Sequence, residues 1–207
     1  MVSMEPQQPH MPGYRIQEYA LVLNPHEDLR NRIGKVRDEF SERFKTPASR
    51  YLKPSVTLAT FQTWVMMEDK ILPRLQGICM GIAPFRVELK DYGSFPSHSI
   101  FINVISKVPV QNLVSQLKEA QRLMKLNQEN KPHFIEEPGI TIARKLKPWQ
   151  YEHGWLEFSN RQFTGRFIAD GLLLLKRPSG AKTAFQIAAR FDFMNLPVTT
   201  KQGNLFV

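Results

Sequence analysis

The chain is poor in the residues that most often announce a chemistry. It has one cysteine, Cys79, in 207 residues, which excludes an internal disulfide and a cysteine-based metal site. Cys79 falls in an apolar helical pattern, so a buried structural thiol is expected, and a reducing cytoplasm fits it. No apolar run reaches the roughly 18 residues of a membrane span, so no membrane is expected among the partners. Residues 1–13 lack the charged-then-apolar order of a signal peptide and read as a mobile tail rich in Pro, Gln and Met. The five histidines are scattered, and no pair of His or Asp/Glu shows metal-ligand spacing. Acidic residues are outnumbered, 19 against 28 basic, giving a net charge of +9 and a pI near 9.8. That surplus favours anionic partners such as RNA, nucleotides or acidic membranes; its alternative role is solubility alone.

What is present is a repeat. Pro54-Ser55-Val56-Thr57-Leu58-Ala59 and Pro138-Gly139-Ile140-Thr141-Ile142-Ala143 share Pro, Thr and Ala and start 84 residues apart. Each is β-branched, apolar and opened by Pro, which suits the first residue of a strand. Side chains alternate across a strand. Ser55 and Thr57 therefore share one face, as do Gly139 and Thr141, with Val56, Leu58, Ile140 and Ile142 on the other.

Around these stretches, short strands are expected at 19–23, 55–61, 85–90 and 99–105, and as single runs at 165–176 and 185–193. Helical periodicity covers 26–44, 67–80, 110–124 and 148–162. Residues 127–137 read as a polar loop. The order suits an α+β protein with two antiparallel sheets and helices outside. One bilobal domain is expected over 14–195, followed by a tail at 196–207 without usable pattern.

The two stretches resemble the motifs of the 2H phosphoesterase superfamily, the 2′-5′ RNA ligase-like (LigT-like) proteins, whose halves each carry His-x-Thr/Ser-x on a strand. Both Thr positions match, at Thr57 and Thr141; Ser55 and Gly139 stand where the family has imidazoles. Lys53-Pro54 before the first motif, Ala143-Arg144 after the second, and Trp149 to Lys176 carry the same resemblance. The family implies a V-shaped pair of sheets with the motifs facing across a central groove. It implies that the Thr hydroxyls hold phosphate oxygens, that the two imidazoles exchange protons with the attacking and leaving oxygens, and that no metal or other cofactor takes part. A positioned acid or base is worth roughly 10²–10⁴-fold, so losing both removes on the order of 10⁴–10⁸ if they act independently. Gly139 is expected to leave room where an imidazole would stand.

Other residues carry open readings. Lys53 could reach an anion or be solvated. Arg144, by strand parity, falls opposite Thr141 and suits a structural or rim role. Tyr92 and Phe95, on the turn between strands, could stack on a base or pack. His98 enters a strand from a loop. His133 lies six residues before Gly139, roughly 20 Å away if extended, and is expected as a solvated loop residue. Three functions compete. One is a monomeric protein that binds a phosphate-bearing nucleotide or RNA end with catalysis lost or strongly reduced. The others are an active phosphodiesterase or RNA ligase-like enzyme using non-standard residues, and a protein-interaction scaffold.

Overall fold

The computed structural model describes residues 12–46, 53–96 and 98–197. Two antiparallel sheets carry the described strands. The first runs in the order β5 (His133–Phe134), β2 (Val56–Trp64), β1 (Ile16–Leu23), β8 (Gly171–Pro178) and β9 (Gln186–Asp192). The second runs β6 (Gly139–Arg144), β4 (Ser99–Val104), β3 (Phe85–Phe95) and β7 (Thr164–Ala169). The helices are α1 (Glu27–Phe44), α2 (Glu68–Met80), α3 (Lys107–Leu117) and α4 (Pro148–Phe158). The fold is the α+β, two-sheet arrangement expected from the element order. One continuous apolar core joins both sheets and the helices, from Leu21 and Ile33 to Ile100 and Phe158. Most of the expected N-terminal tail and the last ten residues lie outside the described chain; Pro12–Tyr14 form a short 3-10 turn.

The run expected as a single strand over 165–176 is two strands in different sheets. β7 pairs with β3, and β8 pairs with β1, with Asp170 at the corner between them. Apolar content continues through the corner, so periodicity alone does not see the change of sheet. β8 opens on five consecutive buried residues because both its faces are covered. Leu172 and Leu174 join the main core, while Leu173 and Leu175 pack with Ala20 and Val22 in a separate small cluster.

The duplicated strands are alike down to their irregularity. In β2, Thr57 pairs with Val22 and Ala59 with Leu21, so Leu58 is an extra residue. In β6, Thr141 pairs with Phe101 and Ala143 with Ile100, so Ile142 is extra. Each is a β-bulge at the same place in its motif, and a bulge resets side-chain alternation. Leu58 and Ala59 are consecutively buried, as are Ile142 and Ala143. Thr60 and Arg144 then return to the faces that hold Thr57 and Thr141.

Helix contacts hold the second motif strand in place. Arg37 sits on the buried stripe of α1 between Ile33 and Phe40, and its Nε donates to the Thr141 carbonyl at 2.8 Å. Gln150 closes the start of α4, its Oε1 accepting from the Lys147 N–H at 2.9 Å. The same amide donates to the Phe44 carbonyl at the end of α1, also at 2.9 Å. Pro148 suits the first turn of α4, where no N–H is needed.

Candidate functional site

β2 and β6 meet where the two sheets approach. Thr57, Thr141 and Ser55 line one cavity there, of about 540 Å³. The two Thr side chains are half-buried, each on the groove side of its strand. Ser55 is 5% exposed, and its hydroxyl donates to the Lys53 carbonyl at 3.1 Å.

The lining is cationic. Arg37, Lys131, Arg144 and Arg177 border the cavity, against one carboxylate, Glu18. Glu18 is already matched: its Oε2 accepts from Arg177 Nε at 2.6 Å. Burial, and then the neighbouring Arg144, pull the Arg37 guanidinium down to about 10, so it stays charged at neutral pH. Two cations beside two strand hydroxyls, partly shielded from water, suit an anion with several acceptor oxygens. Among the described residues no cluster of His, Cys, Asp and Glu is disposed to hold a metal ion.

A sequence profile of the 2′-5′ RNA ligase superfamily matches residues 25–181, which include both motif strands, β2 and β6. The chain belongs to this superfamily. Its fold agrees. E. coli LigT, solved in complex with 3′-AMP, superposes with a TM-score of 0.59 at 16% identity, covering 86% of this chain and 98% of that one. The same protein complexed with NADP+ gives 0.52 at 15%, covering 86% and 99%. TT0787 of Thermus thermophilus gives 0.54 at 18%, covering 86% and 98%. No curated protein matches by sequence.

Ser55 and Gly139, the two residues that the motif resemblance sets at imidazole positions, each precede a groove-facing threonine by two residues. The space at Gly139 is already filled, contrary to the expectation of a vacancy. A Cβ there would lie 2.7 Å from Phe101 Cδ2 and 3.1 Å from the Ile102 carbonyl oxygen. Phe101 is the cross-strand partner of Thr141, so its ring lies over the neighbouring glycine on the same face.

The remaining sequence-predicted residues separate into two groups. Arg144 lines the cavity, because the bulge at Ile142 undoes the parity that placed it opposite Thr141. His133 also lines it: the chain loops back as β5, and His133 pairs directly with Thr60. Phe95 is 47% exposed, with its ring 4.9 Å from that of Phe101. Elsewhere, Tyr92 packs edge-on against Phe158 at 5.0 Å, and burial raises its hydroxyl pKa. Lys53 borders a separate depression with Lys35 and Asp38 of α1. His98 is exposed in the β3–β4 turn, its N–H donating to the Phe95 carbonyl at 3.0 Å.

Sequence reasoning missed Arg37, Lys131, Gln62, Arg177 and Phe185 as cavity residues. Arg37 left a signal, being the one charge at a core position between Ile33 and Phe40. The others left none, since their place depends on the pairing of distant strands.

Proposed function

We propose that this superfamily member binds a phosphate-bearing nucleotide or RNA end in the central groove, with the superfamily's acid-base catalysis lost or strongly reduced. The observation that carries the reading is the convergence of Thr57, Thr141, Arg37 and Arg144 on one cavity, beside motif positions occupied by Ser55 and Gly139. The hydroxyls and guanidinium groups receive phosphate oxygens; Ser55 and Gly139 offer nothing that could move a proton at neutral pH. Support also comes from E. coli LigT, which was solved with 3′-AMP and with NADP+. An open, charged cavity favours ligand binding over the filled pocket of a scaffold protein. We further propose a monomer in a reducing cytoplasm, a compartment that suits the free, buried thiol of Cys79.

Calorimetry against nucleoside 2′-phosphates, 2′,3′-cyclic phosphates and short RNA tests it, alongside a turnover assay on the cyclic phosphates. Binding that weakens with salt, with turnover at background, is expected; no binding by any of them contradicts the reading.

One observation favours a second reading, an active enzyme using non-standard residues. His133 brings an imidazole to the groove, and imidazoles handle protons near neutrality. Turnover of 2′,3′-cyclic AMP that disappears in His133→Ala would establish that enzyme.

A further inference from the structure

The cavity extends well beyond its phosphate end, and its far end has a different chemistry. Along the first sheet the register sets three successive rows on the groove face. They are Thr57–Val22–Leu173, then Thr60–Ala20–Leu175, then Gln62–Glu18–Arg177. The first row carries a motif hydroxyl. The second is floored by apolar side chains, and Phe185 packs against that floor. The third is polar and tightly held: Arg177 is clamped by Glu18 at 2.6 Å and lies with its guanidinium carbon 4.4 Å from the centroid of the Phe185 ring.

We propose that Phe185, Arg177 and Gln62 form a nucleobase subsite, on the side of the cavity away from the two motif threonines. The inference rests on the phosphate reading above and names what the rest of the ligand touches. Successive rows are separated by about 7 Å, and the first and third by about 14 Å, so a ribose takes the step from phosphate to the apolar second row and the base reaches from there towards the polar third. An apolar floor beside a stacked guanidinium–phenyl pair suits a flat heteroaromatic ring, since bases stack on both aromatic and guanidinium planes. A hydrocarbon tail would leave Gln62 and Arg177 without a use at that end, and a second phosphate would meet Glu18.

Gln62 gives the subsite a preference. Its amide nitrogen donates to Glu18 Oε1 at 3.3 Å, which turns the amide oxygen towards acting as an acceptor. That oxygen suits the exocyclic amino group of adenine or cytosine and not the carbonyl edge of uracil. The competing platform is Phe95 with Phe101 on the second sheet, but neither ring lines the cavity.

Calorimetry on the full chain with inorganic phosphate, 3′-AMP and 3′-UMP tests this. Wild-type protein is expected to bind all three, with 3′-AMP tightest. Phe185→Leu keeps apolar volume but removes the ring; it should weaken 3′-AMP binding about 10-fold or more and leave phosphate affinity within about twofold. Gln62→Leu, which remains informative should the Phe185 variant fail to fold, should erase the preference for 3′-AMP over 3′-UMP. The subsite is overturned if 3′-AMP binds no tighter than phosphate, if Phe185→Leu leaves 3′-AMP unchanged, or if Phe95→Ala takes the loss instead. Failure of phosphate and both nucleotides alike would bring down the phosphate pocket itself, a different result from losing the base subsite alone.

Discussion

Phe101 and Gly139 share one space: the phenyl ring lies where the first carbon of any side chain at 139 would have to stand. An imidazole at 139 and the Phe101 ring on the neighbouring strand therefore exclude one another. Restoring the superfamily motif by Ser55→His with Gly139→His should fail on its own. Overpacking against the ring and the Ile102 backbone is expected to cost about 1–3 kcal/mol, read by urea denaturation, with no turnover of 2′,3′-cyclic AMP. Adding Phe101→Ala should recover stability and produce measurable ring opening. Activity in the double variant without that third change would contradict the exclusion.

Arg144 and Arg37 should separate binding from folding. Arg144 is exposed on the groove rim, so Arg144→Ala should weaken phosphate binding several-fold and reduce the slope of log affinity against log salt by about one. Arg37 is buried and holds the Thr141 carbonyl. Arg37→Ala should lower stability by about 1–3 kcal/mol, since it leaves a buried carbonyl without its donor. Titrations across a salt series, paired with urea melts, give both readings.

Much of the fold was legible in the chain and some of the site could not be. The duplicated motif strands, the four helices and the α+β class follow from local pattern, because Thr57 and Thr141 each sit in a short β-branched run opened by Pro. Arg144 was misplaced for a physical reason: a bulge inserts one residue and flips every later side chain, and nothing in Thr141-Ile142-Ala143-Arg144 announces it. His133 was misplaced because strand rise measures an extended path, whereas β5 folds back onto β2. Asp170 hid a change of sheet inside one apolar run. Lys131 and Phe185 reach the cavity through long-range pairing, which leaves no trace in local spacing.

Thr63 is the one buried hydroxyl without a hydrogen-bond partner among the described residues. It is fully buried on β2. Thr63→Val keeps the branched shape that suits a strand and removes the stranded polar atom, so a stability gain of about 1 kcal/mol is expected. A urea midpoint that rises at unchanged slope would verify it.

Cys79 is buried in α2, and burial pushes its thiol up to about 12 from 9.0. Because the folded state holds the proton more tightly, the thiol's contribution to stability is complete below pH 9 and is lost as pH climbs towards 12. The native protein should resist a thiol-reactive chromophore at pH 8 and react fully only after unfolding in guanidinium. Rapid reaction of the folded chain would mean that the site opens.

On the reading proposed above, a groove of the kind that serves phosphodiester chemistry holds its ligand without cleaving it. The most direct measurement is a crystal structure of the protein soaked with 2′,3′-cyclic AMP. The expected result is an intact cyclic phosphate between the hydroxyls of Thr57 and Thr141, with Arg144 against its oxygens. An empty groove, or a ring-opened nucleotide in it, would contradict that reading.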